Sequence, residues 1–139
     1  VKTAASGFEV TEVKAGDTVE AGPFTLTFFG EKHAVIHESV PVPDNVGVLV
    51  NGEIYYPGDS FTIPDVEVPT LAAPIGAPWL KIGEAMDFVL AVKPKRAYFV
   101  HDMTLSAAGK KMHSDRLEWA TEQNGGVFTP LDITESLDV

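Results

Sequence analysis

The sequence predicts an α/β fold, a mixed sheet with two helices on one face. Apolar residues in the first half follow the two-residue period of strands, most clearly at 24–28. The pair Asn51-Gly52 separates two apolar runs, which is typical of a type I′ hairpin turn. The second half alternates strand-like runs with helical periodicity, and this alternation is typical of helices packed on a sheet.

The predicted strands are short apolar runs that end at turn residues. Phe8, Val10 and Val13 form a first run, and Gly22-Pro23 helps to separate it from the next. The strand after Asn51-Gly52 ends at Pro57-Gly58, because proline donates no backbone N–H. The other strands are predicted at 24–28, 33–37, 46–50, 68–73, 97–100, 127–128 and 136–139.

Two segments have apolar residues at helical spacing. The first is predicted at 79–93 and stops before Pro94. The second is predicted at 112–123, with Leu117 and Ala120 inward, and ends at Gly125-Gly126. Two helices can cover only one face of a sheet of about seven strands. We therefore expect the other face to be covered by another polypeptide layer, either a second copy or a further part of the protein.

Length and composition narrow the function classes. The chain has 139 residues, which predicts a single domain over 1–139. Its net charge of −10 disfavours nucleic acid and anionic membranes as partners, because phosphates require a basic surface. The chain has no cysteine, no apolar run long enough for a membrane helix and no signal-peptide core. These features permit a cytoplasmic location, and a small-molecule substrate is expected if the chain is active.

Three polar residues stand at predicted strand ends. Asp59 follows the Pro57-Gly58 break, and His33 and His101 each adjoin a strand-like run. Imidazole nitrogens and carboxylate oxygens are the usual ligands of zinc and similar ions. Because strand ends meet at one edge of an α/β sheet, we expect these three side chains to converge. Each also has a structural alternative: Asp59 can cap the turn, and a lone histidine can bond the backbone.

Other chemically active residues are assigned structural positions. His37 could share a strand face with His33, although its context indicates an exposed exit. Asp102 is predicted to be a loop acid or an N-cap, and His113 a solvated helix residue. Trp79 is predicted to pack in the core at a helix start, with the mouth of a pocket as the alternative.

Several motifs resemble the C-terminal half of a metallo-β-lactamase-fold hydrolase of the UlaG-like, metal-dependent type. The matching segments are GEKHAVIH around His33, YYPGDSF around Asp59, PIGAPW at 74–79 and KPKRAYFVHD around His101. The resemblance implies that His33, Asp59 and His101 are metal ligands and that Asp59 is catalytic, bridging two metals. It implies zinc, with manganese or iron as alternatives, and a metal-bound hydroxide that attacks an ester, amide or phosphoester bond.

The family's H-x-H-x-D-H signature is absent from this chain. The resemblance therefore implies half of an αββα sandwich, with the remaining ligands on a missing N-terminal half. We expect such a chain to be inactive alone and to bind zinc weakly. The alternative function is a non-catalytic α/β module that dimerises or binds a partner through its open sheet face.

Overall fold

A computed structural model describes residues 7, 10–131 and 135–136 of the chain. Their secondary structure is a seven-stranded mixed sheet with two helices, and the strands lie in sequence order across the sheet. Strands β1 to β4 pair antiparallel, whereas β4 to β7 pair parallel. The elements are β1 (Thr18–Ala21), β2 (Phe24–Phe29), β3 (Gly47–Val50), β4 (Ile54–Tyr56), β5 (Thr70–Pro74), α1 (Ile82–Val92), β6 (Arg96–Val100), α2 (Ala107–Glu122) and β7 (Val127–Phe128).

The predicted Asn51-Gly52 hairpin is confirmed. Asn51 has φ of 52° and Gly52 has φ of 72°, as both central residues of a type I′ turn require. Asn51 also fastens the turn to β2: its backbone N–H donates to the Thr25 carbonyl, and its side-chain oxygen accepts from the Thr25 N–H. The turn therefore sets the register of three neighbouring strands.

Both helices lie on one face of the parallel half of the sheet. Parallel crossovers are right-handed, so the two connections β5–α1–β6 and β6–α2–β7 place their helices on the same side. The core forms between this face and the helices. Its buried sheet residues are Leu49, Tyr55, Leu71, Ala73, Ala97, Phe99 and Phe128, and its buried helix residues are Ala85, Phe88, Val89, Leu117 and Ala120.

Among the described residues, no helix lies on the opposite face of the sheet. Strand register places one row of side chains on this face, running from Val19 through Leu26, Val50, Ile54 and Thr70 to Arg96 and Val127. A second row is formed by Phe28, Val48, Tyr56, Ala72 and Tyr98. Arg96 is the charged member of these rows, and its Nε donates to Thr70 Oγ1. We call these twelve residues the open face.

Tyr55 ties the antiparallel half of the sheet to the loop that follows β4. Its side chain is fully buried, and its hydroxyl donates to the Thr62 carbonyl at 2.9 Å. The Phe29 ring meets it edge-on at 5.9 Å. Burial raises the pKa of the Tyr55 phenol far above its usual range, because the apolar surroundings disfavour the phenolate. The loop after β4 is therefore anchored to the core through the buried Tyr55.

Three predicted strands differ from the structure. The first run does not form a strand at Val10 and Val13, and Phe8 lies outside the described residues; the first strand is β1, at Thr18–Ala21. Segment 33–37 is a loop with exposed Val35 and Ile36. The segment opposite it contains Pro41 and Pro43, which cannot donate to a ladder. Of the predicted strand at 136–139, Ser136 is not in a strand and the rest lies outside the described residues.

Helix boundaries shift for local reasons. Helix α1 starts at Ile82 rather than 79, because residues 78–79 form a turn. Helix α2 starts five residues earlier than predicted, at Ala107, because the Ser106 hydroxyl accepts from the Gly109 N–H and caps the first turn. Among the described residues, no helix is long and apolar enough to cross a membrane.

Candidate functional site

The candidate site lies at the carboxyl-terminal ends of β4 and β6. Asp59 follows β4 after the Pro57-Gly58 break, and His101 directly follows β6. His33 comes from the loop after β2, which runs along this edge because the Ala34 N–H donates to the Asp59 carbonyl at 2.8 Å. Three segments far apart in sequence therefore meet at one sheet edge, the usual position of functional groups in α/β folds.

The structure brings His33, Asp59 and His101 together. His101 Nε2 lies 2.8 Å from Asp59 Oδ1, and His33 Nε2 lies 3.8 Å from the same oxygen. All three side chains are partly exposed, between 16% for His33 and 37% for Asp59. The convergence expected from the sequence is thus present, while a ligand role for these side chains stays a prediction.

The two imidazoles are oriented in the same way. His101 Nδ1 lies 2.6 Å from the Gly76 carbonyl oxygen, and His33 Nδ1 lies 2.5 Å from that of Ala34. A carbonyl oxygen only accepts, so each Nδ1 must carry the proton. In a neutral ring, Nε2 then presents its lone pair toward Asp59 Oδ1. A proton or a cation is required between His101 Nε2 and the carboxylate, because two acceptors do not attract each other.

Trp79 forms the inner wall of the site. Its indole Nε1 donates to Asp59 Oδ1 at 3.3 Å, and the side chain is 8% exposed. The Phe61 ring packs against it at 5.0 Å, and the His33 ring lies 6.1 Å away. Trp79 therefore packs in the core as expected, but it also fixes the carboxylate, a contact that sequence reasoning did not identify.

Asn45 holds the turn that presents Asp59. Its Nδ2 donates to the Pro57 carbonyl at 3.0 Å, and its Oδ1 accepts from the Asp59 N–H at 2.9 Å. Gly58, between them, has φ of 68°, and a Cβ there would lie 2.3 Å from Asn45 Oδ1. The sequence gives no local signal for this contact, since Asn45 lies in a proline-rich loop with several other turn residues.

The backbone at His101 is left-handed, with φ of 63°. In the part of the chain that the structure describes, two other non-glycine residues share this conformation, each for a local reason. Lys93 ends helix α1 as a left-handed C-cap, and Asn51 occupies the hairpin turn. His101 is neither a helix cap nor a hairpin residue. Backbone strain at a functional side chain is a common feature of binding sites.

The remaining candidate residues lie outside this contact set. His37 is exposed and bonds the Ser39 side chain. Asp102 pairs with Lys110 at 2.9 Å, and this hydrogen bond lowers the pKa of the Asp102 carboxyl. The prediction that His113 is solvated is wrong: it is half-buried, and its Nδ1 lies 2.7 Å from the Ile75 carbonyl. The cause is helical spacing: His113 lies one turn before the buried Leu117 and therefore shares its inward face.

The donor types fit a divalent metal, but the present arrangement is not a preformed site. Within the described residues, no group of three or more His, Cys, Asp or Glu side chains is arranged to hold a metal ion. Donors of a tetrahedral site with bonds near 2.1 Å lie about 3.4 Å apart. The 2.8 Å contact of His101 with Asp59 is shorter, so the carboxylate must move by several tenths of an ångström to admit an ion.

Comparisons with known proteins give one sequence relative and a structural group. No family model matches the chain. Protein Rv0786c of Mycobacterium tuberculosis is 36% identical over 110 residues, which cover 76% of this chain and 52% of that protein. The chain thus spans about half the length of this relative.

Similar solved structures include metal-dependent enzymes and a proposed one. Igni18, a metallo hydrolase of Ignicoccus hospitalis, has a TM-score of 0.66 and 16% identity, over 94% of this chain and 61% of that one. A proposed metal-dependent hydrolase of Parabacteroides distasonis has a TM-score of 0.57 and 18% identity, over 85% of this chain and 56% of that one. CmlA, a diiron β-hydroxylase of Streptomyces venezuelae, has a TM-score of 0.58 and 13% identity, over 89% of this chain and 33% of that one. At these identities the likeness shows the fold alone.

These findings correct the family resemblance drawn from the motifs. The assignment to the UlaG-like metallo-β-lactamase family is wrong as made: no family model matches, and the comparisons support likeness to Igni18 and CmlA together with the relative Rv0786c. The identity of the fold with half of an αββα sandwich is likewise not shown. The motifs have local explanations. Gly58 is required by the turn under Asn45, and a Cβ at Gly76 would lie 2.7 Å from Leu105.

Proposed function

We propose that this chain supplies one carboxylate and two imidazoles to the metal centre of a metal-dependent hydrolase. The observation that carries the proposal is the shared orientation of His33 and His101. Each ring fixes Nδ1 on a backbone carbonyl and directs Nε2 toward Asp59 Oδ1. This is how proteins prepare imidazoles for metal binding, since the bond at one nitrogen sets the tautomer at the other. The likeness to Igni18 supports the same reaction class.

Each residue has a distinct role in the proposed centre. His33 and His101 donate Nε2, and Asp59 contributes an anionic oxygen that Trp79 Nε1 orients. When bound, the divalent metal lowers the pKa of a coordinated water and polarises the scissile bond. Two histidines and a carboxylate suit zinc and ferrous iron, and manganese is a further alternative. The substrate would be a small molecule with a hydrolysable ester, amide or phosphoester bond.

Three donors are fewer than the roughly five that a two-metal hydrolase centre needs. The proposal therefore includes further ligands from outside this chain. We expect the isolated chain to bind metal weakly, with a dissociation constant between about 1 μM and 1 mM. For the same reason, turnover by the isolated chain is expected to be absent.

Metal binding can be followed through Trp79. The chain has two tryptophans, and the other, Trp119, is 47% exposed on α2. In a Trp119→Phe background, titration with zinc, manganese or ferrous iron is expected to change the emission of Trp79 in a saturable way, because an ion displaces its partner Asp59 Oδ1. Asp59→Ala and His101→Ala should each weaken this binding by at least about tenfold.

His37→Ala is the matched control, because His37 is an exposed histidine whose ring, in the described contacts, bonds only the hydroxyl and the backbone N–H of the neighbouring Ser39. This variant should bind metal with the same affinity as the parent chain. If the Trp79 emission of Asp59→Ala responds to metal as the parent does, the proposed centre is contradicted. The same holds if the parent shows no response at millimolar metal.

The alternative function, a non-catalytic binding module, is favoured by the open face. In a chain of net charge −10, this face carries ten apolar residues beside Thr70 and Arg96. Thr70 and Ala72 are buried, Tyr56 and Val127 are exposed, and the other side chains of this face are half-buried. Exposed apolar surface on a sheet is typical of a site that another layer covers. We propose that the cover is further polypeptide of a longer protein, as Rv0786c and Igni18 are both longer than the region they share with this chain.

Sedimentation equilibrium at low micromolar concentration tests whether the open face needs another polypeptide to cover it. With no cover present, we expect the isolated 14.9 kDa chain to self-associate without a fixed stoichiometry, and a Val50→Lys change on the open face to reduce that association. A discrete two-fold dimer would instead identify a second copy as the cover. A well-behaved monomer of the parent chain would show that the open face needs no cover.

A further inference from the structure

His113 occupies the buried side of helix α2. It lies one turn before Leu117, and positions four apart in a helix share a face. Leu117 is fully buried, and His113 is half-buried beside it. Its Nδ1 lies 2.7 Å from the Ile75 carbonyl oxygen. A carbonyl cannot donate, so Nδ1 carries the proton and donates it.

The Ile75-Gly76 segment connects this contact to the candidate site. The Ile75 N–H donates to the Val100 carbonyl at 3.0 Å, which joins the segment to the end of β6. The next carbonyl, that of Gly76, accepts from His101 Nδ1 at 2.6 Å. Two consecutive carbonyls are therefore each bound by an imidazole. His113 of α2 binds the Ile75 carbonyl, and His101 at the end of β6 binds the Gly76 carbonyl.

Fixing the Ile75 carbonyl also restricts the Gly76 carbonyl. The Ile75 C=O belongs to the planar peptide that leads into Gly76, so its direction sets the orientation of that peptide. The Gly76 C=O belongs to the next peptide, and only the φ and ψ of Gly76 separate the two, so an anchored first peptide limits how far the second can move. Gly76 has no side chain to limit its backbone, and the close approach of Leu105 leaves no room for one. An external hydrogen bond at Ile75 is thus the restraint that side-chain packing at Gly76 cannot provide.

The geometry points to His113 as a positioning residue of the candidate site, one that holds His101 through the Ile75-Gly76 peptide. The inference rests on the proposed function for its purpose, but the mechanical link concerns this chain alone. Without the His113 donor, the Gly76 carbonyl gains freedom, and the His101 ring loses the fixed partner that directs Nε2 toward Asp59. Residues that orient metal ligands typically change metal affinity by about 10–100-fold when replaced.

The test uses the metal-free chain and the ring N–H protons of its histidines in NMR spectra. Such a proton is seen only while its exchange with water is slow. In His113→Leu, the His101 ring proton is expected to broaden or disappear, while the unfolding transition in urea remains cooperative. In His113→Asn, the amide Nδ2 takes the place of the ring Nδ1, and the His101 signal is expected to return. His37→Leu serves as the control and should leave that signal unchanged.

A second readout separates this inference from the proposed function. In the Trp119→Phe background, His113→Leu should weaken metal binding by about tenfold and His113→Asn much less. An unchanged His101 signal in His113→Leu, or no rescue by asparagine, would overturn the positioning role. If the parent chain binds no metal while the His101 signal responds as expected, the proposed function fails and the positioning link stands.

Discussion

Replacing Gly58 by alanine is expected to lower the free energy of unfolding by about 3 kcal/mol. Two costs combine. A left-handed backbone costs a non-glycine residue about 1–2 kcal/mol, and a steric overlap in a packed region costs about 1–3 kcal/mol. Gly58 has φ of 68°, and its new Cβ would lie 2.3 Å from Asn45 Oδ1, the acceptor of the Asp59 N–H. Urea denaturation of both chains measures the difference.

Gly52→Ala is the matched control. Gly52 has φ of 72°, close to that of Gly58, but nothing lies within 4 Å of a Cβ built there. We therefore expect the backbone cost alone, about 1 kcal/mol. Equal losses for the two alanines would mean that the Asn45 contact does not restrain the turn.

The second large effect is expected from Leu117→Ala, with a loss of about 3 kcal/mol. Helix α2 is mainly polar, and its buried residues are Leu117, Ala120 and Thr121. Leu117 is the one large apolar side chain among them and is fully buried. Its removal leaves a cavity between the helix and the sheet, because alanine and threonine cannot move in to fill it. Thermal and urea unfolding measure the loss.

Met112→Ala tests whether this effect comes from burial rather than from helix composition. Met112 lies on the same helix and is 55% exposed. Its replacement should change stability by no more than about 0.5 kcal/mol. A loss at Met112 similar to that at Leu117 would contradict the assignment of Leu117 as the anchor of α2.

Local signals in the sequence were sufficient for much of the fold. The hairpin at Asn51-Gly52 was predictable because type I′ turns require positive φ at both positions, and few residue pairs provide it. Helix α1 was predictable from apolar spacing and from Pro94. The convergence of Asp59 and His101 followed from a general rule, that strand ends of an α/β sheet meet at one edge.

Non-local contacts were not predictable in the same way. The bonds of Asn45 to the Asp59 turn and of Trp79 to the Asp59 carboxylate join residues 14 and 20 positions apart. Nothing in the local pattern of either partner indicates such a bond. The start of α2 differs, because Ser106 is a favourable N-cap and the signal was available in the sequence. The contact of His113 with the Ile75 carbonyl joins residues 38 positions apart and is non-local in the same sense.

The family assignment failed for a related reason. Segments such as YYPGDSF and PIGAPW look specific, yet each is explained by the turn or the close approach that it forms. A glycine required by a left-handed turn or by tight packing arises in any protein that builds the same junction. Short motifs of this kind indicate local geometry more securely than they indicate ancestry.

The left-handed backbone of His101 has a consequence for how this protein can change. Glycine would relieve the conformation there, whereas most other side chains keep a cost on the order of 1–2 kcal/mol. At this position, glycine would favour the stability of the fold, whereas the proposed centre requires histidine. Directed evolution for heat tolerance alone would favour losing the imidazole. Variants for biotechnology would therefore have to be selected for metal retention and thermal resistance together.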